Sequence, residues 1–331
     1  MKREGYVIQR AADPENLRQA FWRAQRGKKD RPEVIAFREH LNEELQAMRE
    51  GLLEGGLELG RQTEFGIRDP KPRLICAPAF PERVLHHALV AVVEPNLEKF
   101  AFEDSYACRP GKGSHRAVLR AQVFARKNRS YLKLDIARFF DSISHDLLLK
   151  FLARRFKDQD FLGLVSEILG HHQVSKARGL AIGSLMSQHL ANFFLGYLDR
   201  FVKEELRCQH YLRYMDDFVL WQDQGSELRM CLRRIREYLS EHLQLDLKDS
   251  VLIGDSARGM DFLGFRVWPQ RLGLGRRARY RFSRELAKVQ RELERQSITE
   301  EDASRRFDGL WGWCRMAKTA GIRRKVLARY S

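Results

Sequence analysis

Two consecutive acids interrupt a largely apolar and aromatic segment, Tyr211-Leu212-Arg213-Tyr214-Met215-Asp216-Asp217-Phe218-Val219-Leu220-Trp221. Apolar and aromatic residues dominate both of its flanks, which predicts two strands joined by a two-residue turn. Asp216 and Asp217 lie at the centre of this run, where a buried charge is costly unless a partner neutralises it. A tight turn that projects the acids into solvent is the simpler interpretation, and a cation site is the functional one.

A second acid-ended strand, Tyr131-Leu132-Lys133-Leu134-Asp135-Ile136, lies earlier in the chain. Its apolar and polar residues alternate, as in a half-buried strand, and Asp135 stands near its C-terminal end. If the Asp216-Asp217 hairpin lies beside that end, three carboxylates can bind two Mg²⁺ ions, which prefer oxygen ligands. Two such metals stabilise both the attacking and the leaving oxygen of a phosphoryl displacement. The pattern therefore predicts nucleotide addition to a 3′-hydroxyl group.

The composition indicates a polyanionic partner. The 331 residues include 60 Lys and Arg and 44 Asp and Glu, which gives a net charge of +16. A positive field of this size attracts and holds phosphate-rich molecules. The excess concentrates in residues 271–331, where 17 basic and 7 acidic residues leave +10. We therefore expect this C-terminal block to grip a nucleic-acid backbone.

Simple features argue against other classes of protein. No run reaches the roughly 18 apolar residues of a membrane span, and the N-terminus lacks the apolar core of a secretion signal. The five cysteines are scattered without a C-x-x-C pair, so neither a disulfide scaffold nor a cysteine zinc site is expected. These features predict a cytoplasmic protein with no membrane association.

The rest of the chain reads mainly as helices around a few short strands. Residues 14–53 predict two helices separated by the segment 27–32, and residues 63–77 predict a hairpin with a turn in its middle. Further helices are expected at about 82–97 and about 283–296. The pair His86-His87 lacks the spacing of a zinc site, and the two residues are expected to lie on the surface or the core side of the first of these helices.

The acidic motifs resemble those of reverse transcriptases. Tyr214-Met215-Asp216-Asp217 matches their YxDD box, and residues 134–143 (LDIARFFDSI) resemble their first catalytic box. The other boxes of the family occur in the same order. Residues 72–84 and 102–114 resemble the fingers boxes, 179–188 the box that lines the nucleotide and template pocket, and 243–250 and 259–265 the last two palm boxes.

One box resembles that of a particular group of reverse transcriptases. Most reverse transcriptases have Q-G-x-x-x-S-P where this chain has Ile182-Gly183 followed by Ser187-Gln188. The I-G-x-x-x-S-Q form is typical of reverse transcriptases from diversity-generating retroelements. Members of that group copy a template-repeat RNA into cDNA with misincorporation at template adenines, and the product replaces part of a target gene. They work with a small basic accessory variability protein that forms a pentamer.

The resemblance implies an α+β right-hand polymerase fold, with fingers, a palm built on a small antiparallel sheet, and a helical thumb. It places an N-terminal helical extension at 1–59, the fingers at 60–134, the palm at 135–268 and a basic thumb at 269–331. Helices associated with the fingers are expected at about 145–178 of the palm segment.

The resemblance also implies roles for individual residues. Asp135 and Asp216 are the expected essential ligands of two Mg²⁺ ions, for which Mn²⁺ can substitute, with Asp217 as a third carboxylate and the Ile136 carbonyl as a further oxygen. Phe140 occupies the position of an aromatic steric gate against ribonucleotides, although the neighbouring Phe139 could be mistaken for it. The expected nucleotide-binding residues are Lys71, Arg73, Phe140, Ile182, Gly183, Gln188 and Lys248, and the expected contacts to template RNA are Arg109 and Lys112.

Two alternatives remain open at this point. A retron-type, antiphage or intron-derived reverse transcriptase of ordinary fidelity would share the catalytic boxes. A non-catalytic RNA-binding scaffold would keep the fold without the chemistry. The presence of all three carboxylates gives no support to a loss of catalysis.

Overall fold

The computed structural model describes residues 3–60, 62–68, 72–171, 175, 177–317 and 319–321. None of the helices in these ranges is long and apolar enough to cross a bilayer. The helices are α1 Val7–Ala11, α2 Pro14–Ala24, α3 Pro32–Glu39, α4 Leu41–Glu54, α5 Phe80–Phe100, α6 Ser114–Lys127, α7 Phe139–Ser142, α8 His145–Ala153, α9 Gln159–Gly170, α10 Leu185–Arg200, α11 Gly225–Tyr238, α12 Arg276–Glu294 and α13 Glu300–Cys314. The strands are β1 Thr63–Arg68, β2 Pro72–Ala77, β3 Ser130–Asp135, β4 His210–Tyr214, β5 Asp217–Gln222, β6 Leu252–Asp255, β7 Met260–Phe262, β8 Phe265–Val267 and β9 Leu272–Leu274. This combination of helices with small antiparallel sheets is the α+β class that the sequence predicts.

A four-stranded antiparallel sheet, in the order β4-β5-β3-β6, organises the two larger cores. Leu132, Leu134 and Phe218 point into the largest core, which helices from the N-terminal half, α10 and α11 complete. Tyr131 and Trp221 point to the opposite face, where α6 and the small sheet β7-β8-β9 cover them. Because successive strand residues alternate between faces, a sheet covered on both sides reads as a nearly continuous apolar run. That pattern explains why the acids stand out in the sequence.

The predicted hairpin of residues 63–77 is confirmed. Strands β1 and β2 pair antiparallel from Thr63 opposite Ala77 to Arg68 opposite Pro72. The backbone N–H of Cys76 donates to the Ile182 carbonyl at 2.9 Å. The hairpin is thereby joined to the loop that precedes α10.

The N-terminal helices differ from the sequence prediction. Residues 33–53 were expected to form one helix, but α3 ends at Glu39 and α4 begins at Leu41. The backbone of His40 leaves helical geometry (φ −111°, ψ 29°), which lets both helices bury apolar residues in the same core. The apolar spacing continues across this kink, so the pattern could not reveal it.

Two predicted helices have different bounds in the structure. Helix α5 extends the segment predicted at 82–97 to Phe80–Phe100, and His86 is buried in it. Helix α12 begins at Arg276 rather than near residue 283. It packs against α13 around Phe282, Leu286 and Cys314, while its basic residues lie mainly on the outer face.

Candidate active site

The acidic hairpin has the predicted geometry. Strands β4 and β5 pair antiparallel with Tyr214 opposite Asp217, so Met215 and Asp216 form a two-residue turn. Met215 has a φ of 56°, in the left-handed region. A side chain there costs roughly 1–2 kcal/mol relative to the right-handed conformation, so the surrounding structure must hold the turn.

The end of β3 lies beside this turn, as the sequence predicts. Asp135 is the register partner of Asp217 in the β3–β5 ladder, and the Ile136 N–H donates to the Asp216 carbonyl at 3.3 Å. Opposite residues of an antiparallel pair have Cβ atoms about 4.5–5.5 Å apart. The fold therefore brings Asp135, Asp216 and Asp217 together at one edge of the sheet.

The closely spaced carboxylates at this edge of the sheet favour a bound cation. Burial and the neighbouring Asp135 raise the pKa of Asp216. Burial raises the pKa of Asp217 to about 6, and the Lys133 ammonium, 3.1 Å from its Oδ2, opposes that rise. Lys248 forms an ion pair with Asp135 through Oδ1. Like charges held this closely favour protonation or a bound cation.

The carboxylates fit a hard divalent cation, although the site must rearrange to bind it. Within the described ranges, no group of three side chains forms a preassembled ligand cluster. Instead, Asp135 and Asp217 each form an ion pair with a lysine. The Oδ1 atom of Asp217 is buried without a hydrogen-bond partner. Asp135 and Asp216 are the residues that would hold metal. Asp217 is the less available third carboxylate because Lys133 already occupies it.

Lys133 was not assigned a role from the sequence. It lies two residues before Asp135, so both side chains leave the same face of β3. Its ammonium also donates to the Asp261 carbonyl at 2.9 Å, which ties strand β7 to Asp217. The period of a strand could have identified Lys133 as a neighbour of the acids.

The two phenylalanines after Asp135 have different environments. Phe139 is 3% exposed within the largest core. Phe140 is only partly buried at the edge of that core, and its carbonyl accepts the Leu180 N–H at 2.8 Å. Phe140 is therefore the ring that can meet a nucleotide, and its gate role remains a prediction.

The loop before α10 is held against the β1–β2 hairpin. Gly183 has a φ of 120°, and a Cβ atom there would lie 2.9 Å from Ile75 Cγ2 and 3.2 Å from the Cys76 carbonyl oxygen. Only glycine fits this close approach. Ile182 beside it is half-buried, and Gln188 in the first turn of α10 accepts a weak hydrogen bond from the Cys108 thiol. Ile182 thus lies in a loop that is held against the hairpin, and Gln188 lies at the start of the helix that follows it.

A buried polar cluster supports the same loop. His86 Nε2 lies 3.6 Å from Glu82 Oε1, and both side chains are 2% exposed. Ser184 Oγ lies 3.3 Å from His86 Nδ1 and caps α10 by accepting the Ser187 N–H. Burial raises the pKa of Glu82 to about 7 and lowers the pKa of His86 to about 3. Both side chains are therefore neutral between those two values.

The change Glu82→Gln is expected to make the protein more stable at alkaline pH. A carboxyl whose pKa rises from 4.5 to about 7 on folding binds its proton more tightly in the folded state. Its contribution to stability is complete below the unfolded pKa and is lost as the pH rises through the folded pKa. We expect similar stability for the parent and the variant near pH 5, and an advantage for the variant of up to about 3 kcal/mol near pH 8.

Urea unfolding at several pH values between these limits checks this expectation. His86 provides an internal reference, because its lowered pKa makes the stability of both proteins rise with pH toward its ordinary pKa of 6.5. A difference between variant and parent that does not change with pH would contradict the buried neutral carboxyl.

The residues predicted to contact template RNA are engaged inside the protein. Arg109 is 7% exposed in its side chain, binds both Glu98 oxygens at 2.9 and 3.0 Å, and donates to two backbone carbonyls. Lys112 binds the side chain and the carbonyl of Glu103. These contacts order the 102–113 segment, so a contact to RNA stays a prediction.

The other predicted nucleotide ligands are placed only in part. Lys71 lies outside the described residues. Arg73 lies in strand β2 as register partner of Ile67, and its side chain is outside the described part of the chain. Lys248 lies at the carboxylates, where its N–H also donates to the Asp135 carbonyl at 2.8 Å. The structure therefore joins Lys248, among these three, to the acidic edge.

Comparison with known proteins identifies related sequences. Residues 67–267 match the family described as reverse transcriptase (RNA-dependent DNA polymerase). Protein YkfC of Escherichia coli K12 is 25% identical over 298 residues, covering 76% of this chain and 77% of YkfC. The group II intron-encoded protein LtrA of Lactococcus lactis is 29% identical over 139 residues, covering 40% of this chain and 23% of LtrA.

A solved structure shows the same fold. A Candida tropicalis telomerase, in complex with a TWJ fragment of telomeric RNA, matches with a TM-score of 0.51 and 12% identity. The match covers 77% of this chain and 53% of the telomerase chain, and it confirms the predicted polymerase fold. The family match spans more than half of the chain and includes all three carboxylates. The chain therefore belongs to the reverse transcriptase family, and it is an RNA-directed DNA polymerase.

Proposed function

We propose that this enzyme copies a template-repeat RNA into error-prone cDNA, with misincorporation at template adenines, and that the cDNA diversifies a target gene. The observation that carries the proposal is Ile182, an aliphatic residue where most of the family has glutamine. Its loop is fixed by Gly183 and by the hydrogen bond from Cys76. An aliphatic side chain offers no hydrogen bond to check base-pair geometry, and apolar contacts discriminate by only about 1–3 kcal/mol.

The chemistry is nucleotidyl transfer. The primer 3′-hydroxyl oxygen forms a bond to the α-phosphorus of the dNTP, the bond to the bridging oxygen breaks, and pyrophosphate leaves. Asp135 and Asp216 would hold two Mg²⁺ or Mn²⁺ ions, with Asp217 beside them and the Ile136 carbonyl as a further oxygen ligand. The ions, when bound, lower the pKa of the hydroxyl and neutralise the phosphates. Lys248, which contacts Asp135, would stabilise the leaving pyrophosphate.

The incoming nucleotide is expected to contact a small set of residues. Lys71, together with Arg73 in strand β2, would bind the triphosphate, for which a guanidinium offers paired donors. Phe140 would exclude a ribose 2′-hydroxyl, and Ile182, Gly183 and Gln188 would line the base pair. The hydrogen bond between Cys76 and Ile182 supports a common site for the hairpin and the loop.

The RNA and its cDNA duplex would lie across the basic surface. We assign residues 1–59 to an N-terminal extension, 60–134 to the fingers, 135–268 to the palm and 269–331 to the thumb. Helix α12 supports a role in duplex binding because basic residues cover most of its outer face. We assign the proposed reaction to the cytoplasm, where RNA transcripts and dNTPs are available. The pentameric accessory protein is proposed from the resemblance alone.

An ordinary-fidelity enzyme of intron or retron type is the second candidate. It is favoured by the similarity to relatives such as LtrA, a group II intron-encoded protein. A non-catalytic scaffold would have no need for three converging carboxylates. Fidelity therefore separates the two enzyme candidates.

The change Ile182→Gln is expected to lower the error rate opposite template adenine. Primer extension on an RNA with equal numbers of the four bases, followed by cDNA sequencing, measures the error at each template base. We expect the parent to show errors concentrated opposite adenine, and the variant to reduce them about tenfold, the lower end of what one contact achieves.

A matched control is Ile253→Gln, which makes the same change at a 37% exposed isoleucine on the edge strand β6. Its error spectrum should equal that of the parent. Accurate cDNA, with no excess of errors opposite adenine, would favour the ordinary-fidelity candidate. An unchanged spectrum for Ile182→Gln would show that fidelity is determined elsewhere.

A further inference from the structure

A fully buried ion pair lies directly behind the catalytic turn. Arg213 on β4 is 1% exposed and Asp199 on α10 is 0% exposed in their side chains. The guanidinium binds both carboxylate oxygens, through Nε at 2.7 Å and Nη2 at 2.6 Å. The Tyr211 hydroxyl donates to the same carboxylate at 2.6 Å. Every oxygen of the buried acid is thereby bonded.

The rest of the guanidinium reaches the turn itself. Arg213 Nη1 donates to the Met215 carbonyl at 3.2 Å and to Asn192 Oδ1 at 2.8 Å. Nη2 also donates to the Asn192 carbonyl at 3.3 Å. Asn192 lies on α10, whose first turn carries Gln188. One side chain therefore joins the strained residue before Asp216 to the helix that borders the nucleotide pocket.

The network extends to a third segment. Asn192 Nδ2 donates to the Ala107 carbonyl at 2.8 Å. The Arg213 backbone bonds the 102–113 segment on both sides, because its N–H donates to Asp104 O and its carbonyl accepts the Tyr106 N–H, each at 2.9 Å. These contacts leave the guanidinium little freedom to move away from Met215.

A buried ion pair is weak evidence for stability, because well-packed apolar residues of similar volume often stabilise a fold as well or better. What apolar residues could not supply here is a donor to the Met215 carbonyl. The left-handed turn has to be held by its neighbours: the Ile136 N–H donates to the Asp216 carbonyl, and the buried Arg213 side chain donates to the Met215 carbonyl.

We propose that Arg213, oriented by Asp199 and Asn192, is a positioning residue that fixes the Met215-Asp216 turn so that the Asp216 carboxylate faces Asp135 for metal binding. The inference rests on the metal site of the proposed function. It does not depend on whether synthesis is mutagenic.

The test is the double variant Arg213→Met with Asp199→Asn. It leaves no unpaired charge in the core, and the new amide oxygen still accepts the Tyr211 hydroxyl. We expect Mn²⁺ affinity, measured by electron paramagnetic resonance, and kcat each to fall about 10- to 100-fold, as when outer-shell partners of a metal site are removed. The KM for dNTP should change by less than about threefold, because the nucleotide contacts remain.

The matched control is Arg155→Met. Arg155 likewise donates to an asparagine side chain and to that residue's backbone carbonyl, but at Asn96 on α5, where Glu4 of the N-terminal segment also binds. It should lower the unfolding temperature without changing Mn²⁺ affinity. A folded double variant with parental Mn²⁺ affinity and kcat would overturn the proposal.

If the double variant fails to fold, the single variant Arg213→Lys tests the proposal instead. Arg213→Lys keeps the charge opposite Asp199, but an ammonium cannot bind both Asp199 and the Met215 carbonyl in the forked arrangement. It should show the same loss of Mn²⁺ affinity, and parental affinity would overturn the proposal. If the parent itself binds no Mn²⁺, the metal site of the proposed function fails, and this inference fails with it. Uniform errors in parental cDNA would overturn only the mutagenic function.

Discussion

The change Asp216→Asn is expected to reduce dNTP incorporation at least about 1,000-fold. The substitution keeps the size of the side chain and removes its charge, so one of the two proposed metal ligands is lost. Metal stabilisation of the developing charge is worth several kcal/mol, and about 4 kcal/mol corresponds to a factor of 1,000 in rate. Single-nucleotide incorporation under pre-steady-state conditions measures the loss.

Binding of the RNA–DNA duplex provides the control for this variant. The net charge of +16 is spread over the chain and is concentrated in the last 61 residues, so affinity at a fixed salt concentration should change little. Asp223→Asn is the matched substitution, since Asp223 follows the other end of β5 and accepts the Arg129 N–H. It should retain synthesis. Retained synthesis in Asp216→Asn would show that the metal site lies elsewhere.

The change Phe140→Ala is expected to lower the preference for dNTP over rNTP about 10- to 100-fold. A ring at this position clashes with a ribose 2′-hydroxyl, and overpacking of this kind costs about 1–3 kcal/mol. Removing the ring should raise kcat/KM for rNTP and leave that for dNTP within a small factor. Competing incorporation of dCTP and CTP on one template measures the ratio.

Phe139→Leu is the matched control, because Phe139 packs within the core 5.6 Å from the Phe140 ring. It should lower the unfolding temperature and leave the sugar preference unchanged. If both variants discriminate like the parent, the sugar is selected by another group. If only Phe139→Leu loses discrimination, the gate is the neighbouring residue.

Local patterns predicted much of the fold and the acidic edge of the site. The apolar flanks of Asp216 predicted two strands and the alternation around Asp135 predicted a third, and burial of both faces of the sheet explains why those patterns are strong. The hairpin of residues 63–77 was visible because alternating residues enclose a turn. Such features depend on neighbours in sequence, which a single chain displays directly.

Contacts between distant segments were not predictable in this way. Nothing near Lys248 in the sequence indicates that its ammonium lies on Asp135, and nothing near Arg213 indicates Asp199 as its partner. The break at His40 was also hidden, because the apolar spacing is the same on both sides. These features arise from packing between elements, where tertiary contacts override local preference.

Asp135 and Asp216 are proposed to form the metal site of this reverse transcriptase. A crystal structure with an RNA–DNA duplex, a primer lacking its 3′-hydroxyl, an incoming dNTP and Mn²⁺ tests it most directly, because anomalous scattering locates the metal. We expect Mn²⁺ bound by both aspartates, with the Lys248 ammonium displaced from Asp135 toward the triphosphate. A bound nucleotide with Lys248 still paired to Asp135 and no metal at the aspartates would contradict it.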